Sequence, residues 1–395
     1  MKKTVSIVGG GPAAMTLAAF LNDQKFAVTI FEKKKSLGRK FLVAGKGGFN
    51  LTHSEAIESL VERYGPTSFL KTVLLKFTNQ DLRDWLRSIS IPTYIGSSKR
   101  VFPEAGIKPI AVLKAILAVL VEKGVKIEYN KTWTDWDKNN NLVFNNEEIV
   151  ASDYKIFALG GGSWKITGSD GGWLALFASK GINAIPFQAS NCAYNIVWDK
   201  DFILKHAGAP LKNISLSCLD KSRKGEVVIT EFGLEGNAVY ALSPQIRSEL
   251  NKHQKATIYI DLKPTLSYED IVLKLKKSPS KKTTDLLKST LKLSPVQIGL
   301  LKTYLSKEVF LNIESLALKI KSLPLEISSA AELDQAISTV GGVSLAEIDE
   351  DFQLNTLEDN YCIGEMLDWD APTGGYLLQA CFSMGYSLAQ HLNTK

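Results

Sequence analysis

A chain of 395 residues, 45% hydrophobic and 22% charged, has ordinary globular composition and enough length for two or three domains around a substantial core. Its net charge of +6 is too mild for a dedicated nucleic-acid binder, so no nucleic-acid partner is expected. No apolar run reaches the roughly 18 residues of a spanning helix, so no membrane partner is expected.

Taken in chain order, the first feature is an apolar run behind Lys2 and Lys3. Gly9, Gly10, Gly11 and Pro12 break it early, so it reads as a buried strand and not a signal peptide, and the expected setting is the cytoplasm. The strand, residues 4–8, runs into Gly9-Gly10-Gly11-Pro12-Ala13-Ala14, a G-x-G-x-x-A pattern. An apolar helix over 15–21 follows, then a second strand over 27–31 ending at Glu32. Each part has a job in binding a dinucleotide. Gly9 makes the turn, Gly11 lets a pyrophosphate approach the backbone, and Ala14 allows close helix packing. The helix start, with Pro12 and Ala13, offers free N–H groups to phosphate. Glu32 is placed to accept from the ribose hydroxyls.

Three later features favour FAD over NAD. The first is the loop just past Glu32, where Lys33, Gly38, Arg39 and Lys40 can meet phosphates or ribose. The second is a strand over 153–158 that ends in Leu159, Gly160 and Gly161, after a meander expected over 126–129, 132–136 and 141–144. The third is Gly364-Glu365 at the end of a late strand, followed by Gly374, Gly375 and Tyr376 opening a final helix to His391. Glycines at that helix start would bring its N–H groups to the flavin, and Glu365 would bind a ribityl or phosphate-side hydroxyl.

Five stretches resemble the aminoacetone oxidase family of FAD-binding enzymes, which includes the BaiN-like NAD(P)/FAD-dependent flavoproteins. They are IVGGGPAA (7–14), GRKFLVAGKGGFNLTH (38–53), RVFPEAGIKP (100–109), TEFGLEGNAVYALS (230–243) and GEMLDWDAPTGGYLLQACFSMG (364–385). The second stretch adds Gly45 and Asn50 as candidate FAD contacts. Many members carry Arg-Cys-Asn where this chain has Gly48-Phe49-Asn50, so a role for that Arg and Cys is lost here.

The resemblance implies a discontinuous FAD domain of the two-dinucleotide-binding-fold α/β class, interrupted by an insertion. The sequence divides accordingly into the first part of the FAD-binding domain (1–186), an inserted β-domain (187–262), a small helical subdomain (263–332) and the C-terminal part of the FAD domain (333–395). Alternating runs mark the β-domain, and apolar residues at helical spacing mark the subdomain. The lysine-rich segment 276–282 reads as solvated surface.

Cys192, Cys218, Cys362 and Cys381 show no short pairing, and His53, His206, His253 and His391 show no ligand spacing. No disulfide framework, redox-active cysteine pair or metal site is expected. Flavin would carry the chemistry, so no triad is needed. His53, Asn50, Lys46, Tyr376 and Asp368 are candidates for acid–base or tuning roles. The leading expectation is an FAD-dependent oxidoreductase acting on a small molecule by hydride transfer. Alternatives are an NAD(P)H-dependent reductase of activated C=C bonds, with NAD(P)H docking transiently, a non-catalytic flavin sensor, and an FAD-dependent RNA-modifying enzyme.

Overall fold

In a computed structural model the described residues are 1–43, 48–145, 147–277 and 282–395. They form two units, one of residues 1–189 with 333–395 and one of residues 190–332.

The first unit is built on a parallel sheet. Its strands are β1 (Lys3–Val8), β2 (Phe26–Glu32), β3 (Lys126–Tyr129), β4 (Tyr154–Phe157) and β5 (Asn360–Cys362), in the order β5-β4-β1-β2-β3. Helices α1 (Pro12–Phe20), α2 (Pro109–Glu122) and α3 (Tyr376–Thr394) belong to the same unit. The expected meander is corrected at one point. Lys126–Tyr129 pairs in parallel with β2, Thr29 opposite Lys126, and so extends the main sheet. A long helix, α2, precedes it, and a helical crossover is what returns a chain parallel to its starting strand. The meander proper consists of Trp133–Trp136, Leu142–Phe144 and Glu148–Val150.

β1 from Val5 onward and the whole of β4 are buried because they lie in the middle of the sheet, which explains their lack of polar alternation. Trp133, Trp136, Trp173, Phe157 and Phe177 pack edge-to-face into one buried aromatic cluster of the core. α3 crosses α1 at Gly385, where a Cβ would stand 2.4 Å from the Ala13 carbonyl oxygen. Only glycine permits that approach, and it brings the last helix against the glycine-rich turn.

The second unit is a seven-stranded antiparallel sheet with helices. Its central hairpin is Pro210–Cys218 with Lys221–Ile229. Leu323–Ile327 and Ser329–Ala330 also belong to this sheet, pairing with Ala256–Asp261 and Tyr194–Asn195. The helices between residues 268 and 321 are therefore an excursion from one sheet, which the composition shift at residue 263 did not reveal.

Candidate cofactor site and active site

The glycine-rich turn sits between β1 and α1. Gly9 has φ +102 and lies against the Ala158 carbonyl, so the turn needs glycine there for its own conformation. Gly10 is closed in: a Cβ would meet Leu37 Cδ2 at 2.2 Å and Glu32 Oε2 at 2.9 Å. Gly11 faces open space, with no atom of another described residue beyond its chain neighbours within 4 Å of a Cβ built on it. It is also the N-cap of α1 and supplies no side-chain cap, and Pro12 occupies the first turn. The first N–H groups of α1 are thus left for a ligand.

Glu32 holds this turn in shape. Its Oε2 accepts from the Gly10 N–H at 2.9 Å and its Oε1 from the Lys34 N–H at 2.8 Å. Burial pushes its carboxyl up, and the two N–H bonds oppose that, leaving it above the usual carboxylate range. Each oxygen keeps a lone pair for a ribose hydroxyl.

The cationic candidates differ in how they are engaged. Lys33 pairs with Asp170 at 2.8 Å. Lys40 pairs with Glu365 at 2.8 Å and also donates to the Ser163 hydroxyl, so these two candidates neutralise each other. Arg39 donates through Nη2 to the Ile166 carbonyl, while its buried Nε has no partner among the described residues. Gly38 donates its N–H to Gly10, tying the loop to the turn. Beyond β4, Leu159 leads to Gly160, whose carbonyl accepts from Trp173 Nε1, and Gly161 packs against Thr339 and Glu365. Gly364 packs on Ala13, and its carbonyl accepts from Trp369 Nε1 at 2.8 Å.

The start of α3 carries a cluster of polar and aromatic side chains. Gly375 has φ +97, and a Cβ there would stand 2.7 Å from the Thr52 backbone. That close approach sets Tyr376 beside His53, with their rings stacked 5.2 Å apart. The Tyr376 hydroxyl donates to Glu55 Oε1 at 2.5 Å. Arg63 grips the same carboxylate through Nε and Nη2, at 3.2 and 2.9 Å. The Tyr64 hydroxyl donates to the Tyr376 carbonyl at 2.8 Å, and His53 Nδ1 accepts from the Glu55 N–H at 3.2 Å. Burial and the bond to Glu55 raise the Tyr376 hydroxyl far above its ordinary value. Burial lowers His53, so its ring is neutral at pH 7.

Arg100 lies opposite His53 in an antiparallel pair, with its Nε 3.3 Å from a Cβ built on Gly374. Its guanidinium has no hydrogen-bond or ion-pair partner among the described residues. Thr52 Oγ1, fully buried, is also without one.

Among the sequence candidates, His53 and Tyr376 are brought together. Asn50 donates to the Gly48 carbonyl within its own turn, and Asp368 accepts from the Gly341 N–H at 3.0 Å. Gly45 and Lys46 lie outside the described residues. Glu55, Arg63, Tyr64 and Arg100 were not among the candidates. The only sequence signal was that Arg100 opens the third family stretch.

The profile of the HI0933-like protein Rossmann domain matches residues 3–391. The chain belongs to the HI0933-like family. This agrees with the resemblance carried by the five stretches. A 3-dehydro-bile acid delta(4,6)-reductase of Clostridium scindens is 24% identical over 408 residues, covering 97% of each chain. A ribosomal RNA dihydrouridine synthase of Haemophilus influenzae is 25% identical over 398 residues, covering 97% of this chain and 96% of that one. In fold, the chain is similar to the open conformation of a flavocytochrome c3 fumarate reductase, at TM-score 0.50 and 12% identity, over 99% of this chain and 78% of that one.

This HI0933-like protein is an FAD-dependent oxidoreductase, and FAD is its cofactor. The residues present fit that group. The open space at Gly11, the uncapped start of α1 and the Arg39 Nε, unpartnered among the described residues, are all suited to anionic oxygens.

Proposed function

We propose that this protein saturates a carbon–carbon double bond conjugated to a carbonyl, with NAD(P)H as the source of electrons. FAD, once reduced by NAD(P)H, would supply the hydride, and solvent the proton. The observation that carries the reading is the free guanidinium of Arg100 beside the start of α3. Hydride delivered to the β-carbon of such a bond drives negative charge onto the carbonyl oxygen, and a proton at the α-carbon completes the saturation. Arg100 offers planar N–H donors to that oxygen, and charge compensation of this kind is a large term in enzyme catalysis. Glu55 forms no ion pair with Arg100 among the described residues; its carboxylate is held by Arg63 and Tyr376. Tyr376 keeps its proton throughout the physiological range and so remains a donor to Glu55.

The relatives lend chemical support. The delta(4,6) bonds of a 3-dehydro-bile acid and the uracil bond lost in making dihydrouridine are both conjugated to a carbonyl. Both names describe reductions, which need an outside electron donor. A cytoplasmic setting suits four buried free thiols.

Anaerobic stopped-flow tests the reading. NADPH or NADH should bleach the yellow protein, and an α,β-unsaturated ketone or a uracil compound should restore the colour. Bleaching of the oxidised protein by amines, with no reoxidation by any such acceptor, would make it an amine oxidase and end the proposal.

A further inference from the structure

A small antiparallel sheet stands against the start of α3, where Gly375 closes on Thr52. Its strands are Thr93–Ile95, Arg100–Pro103 and Thr52–His53, with Arg100–Pro103 in the middle. Tyr94 pairs with Phe102, and His53 with Arg100. Because side chains alternate along a strand, Tyr94, Phe102, Arg100 and His53 share one face. Thr52 and Val101 share the other and are fully buried. Tyr376 covers the first face at its His53 end. At the opposite end Tyr94 is 47% exposed.

The exposed end is aromatic. The Tyr94 and Phe102 rings stack with centroids 5.6 Å and planes 27° apart. Gly96 fits against Phe102, where a Cβ would stand 2.9 Å from Cε2, so Phe102 is held as the backing of the pair. Packing within the hairpin accounts for one side of Tyr94, and no second ring among the described residues lies against it. On the same face is the Arg100 guanidinium, which has no partner among the described residues. His53 adds no further charge there, because burial lowers it and the Arg63 and Arg100 charges lower it further. Tyr94 and Arg100 are diagonal neighbours across the two strands, a separation of about 7–8 Å on one sheet face. An exposed flat ring and one unpaired cation thus stand a short step apart.

We propose that Tyr94 determines which acceptor is taken: an aryl ring lies on Tyr94, and a carbonyl joined to that ring through one carbon–carbon double bond meets Arg100. This narrows the proposed function, on which it rests, to arylpropenoyl compounds. From ring centre to carbonyl oxygen such a compound measures roughly 6 Å, at about 1.2–1.5 Å per bond, which suits the Tyr94–Arg100 diagonal. Aromatic pairs favour an offset stack, and Tyr94 has exposed ring to offer one. An open-chain enone would reach Arg100 and leave Tyr94 hydrated, and a saturated ring has no flat face to stack. In the reaction, hydride adds to the carbon that bears the ring and a solvent proton to the carbon beside the carbonyl. NAD(P)H supplies the two electrons, and the product is the arylpropanoyl compound. Tyr94 makes and breaks no bond; it holds the ring.

Calorimetric titration of the full-length, FAD-loaded, oxidised protein with trans-cinnamate and with trans-3-cyclohexylpropenoate tests this without turnover. The two acids share the double bond and the carboxylate and differ in the flatness of the ring. Cinnamate should bind about threefold to tenfold more tightly, the fold-change that one aromatic pair contributes. Tyr94→Leu should erase that preference by weakening cinnamate alone, and Tyr94→Phe, which keeps the ring, should behave as wild type. Arg100→Met should weaken both acids alike. FAD content and melting temperature should match wild type in both Tyr94 variants. No cinnamate binding, equal affinity for the two acids, or an unchanged preference in Tyr94→Leu would overturn the proposal. Reoxidation of the NADPH-reduced protein is read separately, with benzylideneacetone and an open-chain enone as acceptors. Reoxidation by the open-chain enone without a cinnamate preference sinks only the aryl selection. A cinnamate preference that Tyr94→Leu removes, without reoxidation by any acceptor, sinks only the proposed chemistry.

Discussion

The hydroxyl of Tyr376 donates to Glu55 at 2.5 Å across 321 positions of sequence, and so ties the start of the last helix to the segment after the His53 strand. Burial pushes the Glu55 carboxyl up, but the bonds from Arg63 and Tyr376 outweigh it and hold the group below its usual range. A carboxyl depressed in the folded state contributes stability that is complete above its unfolded pKa of about 4.3 and is lost as pH falls through the folded value. Glu55→Gln should therefore be less stable than wild type by about 1–3 kcal/mol at neutral pH, the range for charged hydrogen bonds. The gap should close below about pH 4. Melting temperatures between neutral and acid pH check this, and a gap that does not depend on pH would mean that Glu55 acts by shape alone.

Gly10 and Gly11 are adjacent but answer to different partners. Gly11→Ala adds a methyl where no described residue beyond the chain neighbours comes within 4 Å, and at φ −82 alanine is unstrained. The FAD-free protein should keep its stability within about 0.5 kcal/mol, while FAD binds at least tenfold more weakly. Gly10→Ala drives a methyl into buried Leu37 and Glu32 and should destabilise even the FAD-free protein by about 1–3 kcal/mol. Denaturant titration and flavin fluorescence separate the two effects. If Gly11→Ala unfolds the apoprotein and spares FAD affinity, the open space does not belong to the cofactor.

Gly385→Ala tests the crossing of α1 and α3. Its methyl would meet the Ala13 carbonyl at 2.4 Å and the Leu17 nitrogen at 2.9 Å, both backbone atoms that cannot swing aside. A stability loss of about 1–3 kcal/mol is expected, with weaker FAD binding because Ala13 belongs to the glycine-rich turn. Thermal melts with and without added FAD measure both, and wild-type behaviour would show that the helices can separate freely.

Arg100→Met keeps the length of the side chain and removes its charge. If Arg100 meets the charge that develops on the carbonyl oxygen, acceptor reduction should slow by about 100- to 1,000-fold, with FAD retained. Bleaching by NADPH should change little. An unchanged rate of reoxidation would remove Arg100 from the chemistry.

The sequence alone determined the dinucleotide fold, the choice of FAD and the family. Strand, glycine-rich turn, helix, second strand and Glu32 all lie within one short stretch of chain, where spacing fixes geometry. Only the tertiary structure decided how the candidates group. Lys40 and Glu365 spend their charges on each other across 325 positions, and His53 meets Tyr376 because Gly375 lets the last helix close on Thr52. Glu55, Arg63 and Arg100 have no periodicity that marks them, since their meaning comes from which strand and helix ends converge. Local spacing carries motifs, whereas partnership between distant side chains is settled by packing, which no single stretch of sequence contains.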